Sequence, residues 1–88
     1  MYVVQVHKSC SKAYNTVIKK FNISIRERMI TTLTNDPYSL DLRKGLRRYK
    51  LPQAHRALIK LYESPKNIAL IIFIGNHSTY MKFLRKYR

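Results

Sequence analysis

The segment LRRYKLPQAHRALIKLYESPKNIALIIFIG, residues 46–75, determines the fold that the sequence predicts. It contains three runs of strand-forming residues, at 46–51, 56–62 and 68–74, which turn residues separate. The first run is highly charged and should expose one face, and the second alternates so that its two faces differ. The third run is continuously apolar, which is typical of an interior strand covered on both faces. Because the connections are short, we expect an antiparallel β-meander.

The residues before this segment predict one strand and two helices. Tyr2–Val6 is rich in β-forming residues, and Ser9 or Ser11 can cap a helix that follows it. Ser24 and Glu27 form a capping-box pattern at the start of a second helix. The apolar residues at helical spacing are Ala13, Tyr14, Val17, Ile18 and Phe21 in the first helix and Ile25, Met29, Ile30 and Leu33 in the second. Since the link is short, we expect an antiparallel helical hairpin.

The remaining residues complete a prediction of one small α+β domain. Residues 38–45 predict a connecting stretch between the second helix and the meander. Gly75 ends the third run, residues 76–78 predict a loop, and Ser78 can cap a short basic last helix. The expected order is an N-terminal strand, the helical hairpin, the antiparallel meander and the C-terminal helix. At 88 residues, the chain has room for a single domain spanning 1–88.

The net charge points to a polyanionic partner. Lys and Arg total 18 against 4 acidic residues, which gives +14 at pH 7. Such a charge opposes folding through self-repulsion, so a polyanion is the natural reason to carry it. Nucleic acid is the first candidate, an anionic membrane surface the weaker one, and an acidic protein partner is compatible with either. Small ribosomal proteins are equally basic, so charge alone does not establish an enzyme.

The cysteine content and the apolar runs indicate a soluble, cytoplasmic protein. Cys10 is the single cysteine, which excludes an internal disulfide and a cysteine-based zinc site. Residues 1–6 lack the basic-then-apolar pattern of a secretory signal. The longest apolar run, 68–74, is far shorter than the roughly 20 residues that span a bilayer. We therefore expect no membrane association through a spanning segment.

The acidic residues argue against a metal-dependent nuclease. The four are Glu27, Asp36, Asp41 and Glu63, and they form none of the familiar metal-binding patterns. A two-metal nuclease needs several clustered carboxylates to hold its ions. We therefore expect neither a metal nor another cofactor.

RNA can be cut without a metal because its own 2′-hydroxyl can attack the adjacent phosphorus. Such a site needs a proton acceptor, a proton donor for the leaving 5′-oxygen and cations around the phosphorane. The candidates lie at the start of the second run (His55 and Arg56), in the first run (Arg47, Arg48 and Lys50) and after the third run (His77 and Tyr80). In an antiparallel meander these places can meet at one end of the sheet, where they would form a basic cleft with two imidazoles.

Each candidate also has a purely structural interpretation. Polar residues at strand ends are usually just exposed to solvent, which applies to both His55 and His77. Arg56 could form a salt bridge within the sheet, although so few acids leave it few partners. Tyr80 could equally pack beneath the last helix, and Lys50 could be one cation among many.

The ordered combination of motifs resembles the RelE/ParE toxin superfamily. In that family a helical hairpin precedes an "L-x-G" segment, a "Y-K/R-L" strand and a "Y/H-R-x-x-Y/I" strand. The matching segments here are residues 25–33, 42–46, 48–51 and 55–59. The ending at 73–80 is similar to the "G-T-H-x-x-Y/F" ending of the HigB-like and YafQ-like branches. The similarity covers nearly the whole chain in element order.

This resemblance implies a RelE-like, microbial-RNase-like fold and a type II toxin. Such a toxin is an mRNA interferase, which cuts mRNA, commonly in the ribosomal A site, and thereby inhibits translation. A cognate antitoxin holds it inactive. We therefore expect mRNA, the ribosome and an antitoxin protein as partners.

The resemblance also assigns residues by matching position. Arg56 corresponds to the phosphate-stabilising arginine of the family, and Lys50 to a basic residue of the adjoining strand. His77 corresponds to the catalytic histidine, and Tyr80 to a nearby aromatic that orients or stacks a base. His55 stands where the YafQ-like branch tends to have an acid, which departs from the pattern.

Two hypotheses follow. In the first, His77 is the general acid, His55 or Lys50 assists deprotonation of the 2′-hydroxyl, and Arg56 with Arg48 stabilises the phosphorane. Further RNA-binding candidates are Lys44, Arg47, Arg48, Lys60 and Lys82. In the second, the chain is a non-catalytic, gyrase-directed ParE-like toxin or a basic RNA-binding protein. A DNA-binding antitoxin is a third interpretation, which the lack of a convincing helix-turn-helix argues against.

Overall fold

The chain folds into three α-helices and one five-stranded sheet, as described by a computed structural model for residues 1–87. The elements are β1 (Val3–Val6), α1 (Ser11–Ile18), α2 (Ile23–Asn35), β2 (Asp41–Arg43), β3 (Leu46–Leu51), β4 (His55–Tyr62), β5 (Ile68–Asn76) and α3 (His77–Lys86), with short 3₁₀ turns at Lys8–Cys10 and Pro37–Ser39. The α+β class is confirmed. Within residues 1–87, no helix has the length and apolar character needed to cross a bilayer.

The sheet is mixed, with the strand order β1-β5-β4-β3-β2. Strands β3 to β5 form the predicted antiparallel meander, β2 adds a fourth antiparallel strand to it, and β1 pairs with β5 in parallel. The prediction of a plain connection before the meander is wrong at Asp41–Arg43, which forms strand β2. The reason is a two-residue hairpin turn at Lys44 and Gly45, where both φ angles are positive, at 51° and 79°. Turns of this kind match the twist of paired strands.

Asparagine, rather than the predicted serines, caps the second and third helices. The Asn22 side chain accepts a hydrogen bond from the Ile25 amide at 3.0 Å, and Ser24 donates to the same oxygen. The capping box at Ser24 is therefore wrong, because Asn22 satisfies the free amides two residues earlier. Helix α1 starts at Ser11 without a side-chain cap.

The start of α3 follows the same rule and removes the predicted loop. The Asn76 side chain accepts from the Thr79 amide at 2.9 Å, so Ser78 is not the cap. Asn76 is also the last residue of β5. Strand β5 therefore runs directly into α3, and His77 is the first residue of that helix.

The two faces of the sheet carry different cores. Both α1 and α2 pack on one face, here called the α1–α2 face, and α3 packs on the other, the α3 face. Ala57 and Ile59 of β4 are fully buried in the larger core on the α1–α2 face, and Leu58 between them belongs to the smaller core on the α3 face. The predicted alternation along this strand is confirmed. Buried side chains of this size each contribute roughly 1.5–3 kcal/mol of burial free energy.

A β-bulge in β5 redirects its second half. Leu58 pairs with Phe73, but the next residue, Ile59, pairs with Ile71, so Ile72 is an extra residue in the strand. An inserted residue reverses the alternation of side chains beyond it. Phe73 accordingly belongs to the core on the α3 face, whereas Ile71 belongs to the other core. The bulge therefore places Gly75, near the end of β5, on the face where α3 packs.

Candidate active site on the α3 face

Three basic side chains of neighbouring strands share the α3 face. Arg48 and Lys50 alternate on β3 with Tyr49 and Leu51, which face the core on the α1–α2 side, and Arg56 lies on β4. Lys50 pairs directly with Arg56, which pairs with Gly75 on β5, so these positions form one row across the sheet. Directly opposed residues of adjacent strands lie about 4.5–5.5 Å apart at their Cβ atoms. The sheet thus gathers a cationic cluster at the end where α3 begins.

Helix α3 brings an imidazole and a phenol to this cluster. Tyr80 is only 2% exposed and packs with Leu46 and Leu58 on the α3 face. His77 lies one turn earlier on the same helix, is exposed, and has its ring centre 5.9 Å from that of Tyr80. His77 follows Gly75, the register partner of Arg56, by two residues. Arg56 shares the α3 face with Leu58, two residues farther along β4, and the His77 ring lies beside Tyr80 on that face, so both are on the same side of the molecule.

Glycine at position 75 permits the close approach of α3 to the sheet. A Cβ atom at Gly75 would lie 2.6 Å from Thr79 Oγ1 and 2.9 Å from the Phe73 ring. Any larger residue would therefore push the first turn of α3 away. At the other end of the helix, the Lys44 ammonium donates to the carbonyls of Leu84 and Tyr87. The helix is held at both ends.

The cluster contains buried polar atoms that have no partner. Within residues 1–87, no hydrogen-bond partner is found for the Nε atoms of Arg48 and Arg56 or for the Tyr80 hydroxyl. Leaving such a group unpaired costs roughly 1–3 kcal/mol, and folded proteins rarely tolerate it without a reason. An acceptor-rich ligand such as a phosphate group would pair with both guanidinium groups.

The electrostatics of the cluster are dominated by positive charge. Burial works to lower the pKa of Arg48, but the adjacent Tyr80 hydroxyl and the Asp41 carboxylate outweigh it and raise the pKa above its ordinary value. Arg48 Nη2 lies 2.6 Å from Asp41 Oδ2. This hydrogen bond lowers the pKa of Asp41, with further help from the charges of Arg43 and Lys50. Asp41 therefore occupies part of the anion-binding capacity of Arg48.

His55 does not join the cluster, so the expected cleft with two imidazoles is wrong. Because successive strand residues point to opposite faces, His55 and Arg56 cannot share one. The His55 ring is 8% exposed, packs edge-on against Phe21 at 5.5 Å, and has Nδ1 3.2 Å from the Pro52 carbonyl. His77 therefore supplies the imidazole of the cluster.

The burial of Tyr80 also limits its role. A side chain that is 2% exposed offers no ring face on which an RNA base can stack. Its hydroxyl lies beside the Arg48 guanidinium instead, without a hydrogen bond of good geometry. Of the two roles expected for Tyr80, stacking does not fit this structure, and positioning does.

The remaining basic candidates are scattered. Arg47 faces the α1–α2 side, where its guanidinium lies 4.9 Å from the centre of the Tyr38 ring. The Lys44 ammonium is engaged at the end of α3. Lys60 is exposed on the α3 face farther along β4, and Lys82 is exposed on α3. Only Arg48 of the predicted RNA-binding set belongs to the cluster.

Two residues that shape this site were not predicted from the sequence. Asp41 lies in a segment that the sequence predicted as a connection, so its pairing with Arg48 across β2 and β3 was not apparent. Gly75 was interpreted as a strand end, and its contact with Thr79 depends on the direct entry of β5 into α3. A glycine two residues before a histidine was the only signal in the sequence.

Within the described residues, no group of three or more His, Cys, Asp or Glu side chains lies close enough to hold a metal ion. The groups that the cluster itself presents are two guanidiniums, an ammonium, an imidazole and a phenol.

Comparison of the chain with models of known protein families, and with curated proteins, gives no match.

Proposed function

We propose that this protein is a metal-independent endoribonuclease that cuts mRNA, as its resemblance to RelE-like toxins implies. The observation that carries the proposal is the cluster on the α3 face, where Arg48 and Arg56 have buried Nε atoms without partners next to Tyr80. The exposed imidazole of His77 lies one helical turn from Tyr80. A phosphodiester would satisfy both arginines and lie within the same region as the imidazole.

The proposed reaction uses the 2′-hydroxyl of RNA as nucleophile. Its oxygen attacks the adjacent phosphorus, the bond from phosphorus to the 5′-oxygen breaks, and a 2′,3′-cyclic phosphate and a 5′-hydroxyl result. Arg48 and Arg56 stabilise the charge that develops on the non-bridging oxygens of the phosphorane. Their planar guanidinium groups suit the geometry of a phosphate group.

Proton transfer completes the step. His77 donates a proton to the leaving 5′-oxygen, since an imidazole can hold and release a proton near neutral pH. The 2′-hydroxyl gives its proton to solvent water, and Lys50, which lies exposed next to Arg56, stabilises the negative charge that grows on the 2′-oxygen as that proton leaves. Tyr80 acts through Arg48 and is a positioning residue.

The proposed partners are mRNA, the ribosome and an acidic antitoxin, in the cytoplasm. The net charge of +14 supports association with each of these, because ribosomal RNA, mRNA and an acidic segment are all polyanionic. An antitoxin segment that orders on binding would cover the cationic cluster.

The test is the His77→Ala variant, with Ser78→Ala as its control. Ser78 is exposed on the same turn of α3, and the proposed reaction gives it no role. We expect His77→Ala to relieve growth arrest on expression and to lower RNA cleavage by about 10² to 10⁴. Its circular dichroism and its affinity for RNA should match those of Ser78→Ala. Mapping of mRNA 5′ ends measures the cleavage.

The contrary results are distinct. A fully toxic His77→Ala refutes the assignment of the general acid. Toxicity with DNA damage and intact mRNA indicates a gyrase-directed toxin. RNA binding by the wild type without new 5′ ends indicates a binding protein that lacks this activity.

A further inference from the structure

A groove lies beside the cluster, where β5 extends beyond β1. Strand β1 pairs only with residues 68–71 of β5, so residues 72–76 have no strand on that side. Helix α1 runs past this open edge. The space between them is a groove of about 470 Å³, which ends at Asn76, the residue before His77.

The groove is lined with cations and carries no acid. Lys12, Thr16 and Lys20 follow one another at intervals of four residues, so they lie along one side of the α1 segment. Phe73 and Asn76 belong to the opposite wall, and none of the lining residues is Asp or Glu. A lining of this composition suits an anionic ligand with an apolar part.

The open strand edge adds hydrogen-bonding groups. In a strand, alternate residues direct their amide and carbonyl groups to the same side. Strand β4 occupies one side of β5. Alternate residues among 72–76 therefore direct their amide and carbonyl groups to the other side, toward the groove. These amide and carbonyl groups can form hydrogen bonds with the edge of a nucleobase, as the same groups do with a neighbouring strand in a sheet.

We propose that this groove binds a nucleotide of single-stranded RNA adjacent to the cleaved phosphodiester. Lys12 and Lys20 contact its flanking phosphates, and the base packs near Phe73 against the edge of β5. This inference rests on the proposed function, because it takes the cluster at His77 as the place of cleavage. Asn76 and Thr79, which line the groove, stand on either side of His77 in the chain.

The charge of the lining favours RNA over an extended peptide as the occupant. A peptide that adds to the edge of β5 needs no cations, whereas a phosphate chain gains from both lysines. An acidic peptide is the competing occupant, and the test includes it.

The first test reverses the charge of the groove. Lys12→Glu/Lys20→Glu is compared with Lys8→Glu/Lys19→Glu, which changes the net charge equally through exposed lysines that do not line the groove. The probe is a fluorescent eight-nucleotide RNA with 2′-O-methyl substitution throughout, which cannot be cleaved because it has no free 2′-hydroxyl. We expect the groove variant to lose at least about tenfold in affinity, and the salt slope of its binding to fall by about 1.4 relative to the wild type.

The second test fills the groove without changing charge. Thr16→Trp places a large ring in the groove, and Asn15→Trp places the same ring at an exposed neighbouring position of α1 that does not line it. We expect only Thr16→Trp to weaken binding of the probe, with equal circular dichroism for both variants.

Three results decide the matter. A loss confined to the two groove variants supports the proposal. Equal losses of RNA affinity in the groove variants and their controls overturn the proposal. Polyglutamate is the probe for an acidic peptide, and groove variants that lose binding to polyglutamate but keep their affinity for RNA also overturn it. Cleavage by the wild type is a separate measurement, so its absence refutes the proposed function without altering the binding comparison.

Discussion

The two faces of the sheet differ in the kinds of side chain that they bury. The α1–α2 face holds the larger apolar core, which includes Met29 and Leu33, both fully buried, and the buried His55 packs against its Phe21. The α3 face has a small core of Leu46, Leu58 and Tyr80, and charged side chains lie next to it. The faces share the same strands, so the contrast arises from alternate residues of one sequence.

This contrast indicates where stability and function reside. Unpaired buried polar atoms cost free energy, and the α3 face carries three of them among residues 1–87. A chain tolerates such a cost when the larger core supplies the stability. Substitutions on the two faces should therefore separate activity from folding.

The largest expected effect is a loss of RNA cleavage in Arg56→Met. Removal of a guanidinium that stabilises the phosphorane should lower the cleavage rate by about 10² to 10³. Methionine also removes the unpaired Nε, so the free energy of unfolding should fall by no more than about 1 kcal/mol. Single-turnover cleavage and urea denaturation measure the two quantities.

Arg47→Met is the matched control for this variant. Arg47 lies on the other face, where it contacts Tyr38 and donates to the Leu40 carbonyl. Its removal should affect stability more than cleavage. If Arg47→Met reduces cleavage as much as Arg56→Met does, the contrast between the faces has no functional meaning.

The next effect is a loss of stability in Leu33→Ala on the α1–α2 face. Leu33 is fully buried, and truncation of such a residue typically costs about 2–5 kcal/mol through lost burial and a residual cavity. Tyr80→Phe on the α3 face removes only an unpaired hydroxyl, so the free energy of unfolding should stay equal or rise. Thermal and urea unfolding of both variants compare them. A Tyr80→Phe variant less stable than Leu33→Ala contradicts this interpretation.

The smallest effect concerns Asp41 and pH. Its hydrogen bond to Arg48 lowers the pKa of Asp41, so the carboxylate contributes stability above the unfolded pKa, near 4, and loses it as pH falls through the folded value. Asp41→Asn should therefore be slightly less stable than wild type at pH 5–7, and the difference should shrink below about pH 4. Melting temperatures across this range measure it. A difference that stays constant down to pH 2 contradicts the assignment.

The same variant should bind RNA more tightly, because Arg48 is then free to contact a phosphate. Titration of the uncleavable RNA at pH 7 measures this change. Unchanged or weaker binding would indicate that Arg48 makes no contact with RNA.

The sequence predicted those parts of the fold that follow from local pattern. The alternation in 56–62 and the apolar run in 68–74 became two interior strands, because burial on one or two faces imposes those patterns. The bulge at Ile72 could not be predicted, since an unbroken apolar run gives no sign of where its register shifts. The capping residues of α2 and α3 were wrongly predicted because Asn22 and Asn76 compete with nearby serines for the same amides.

The candidate site was only partly predictable for a related reason. Arg56 and His77 were found as residue types that metal-free chemistry requires, and strand periodicity alone would have separated His55 from Arg56. The pairing of Asp41 with Arg48 depends on a strand of three residues that composition does not reveal. The burial of the Tyr80 side chain depends on how closely α3 lies over Gly75.

The contact between Lys44 and the end of α3 has a mechanical consequence. Lys44, at the tip of the β2–β3 hairpin, binds the C-terminal end of α3 and so fixes the position of this helix along the sheet. An inserted residue in that turn would move this contact and displace the opposite end of the 10-residue helix, where His77 lies. A change in the length of this hairpin would therefore alter the space between α3 and the sheet without altering any residue of the cationic cluster.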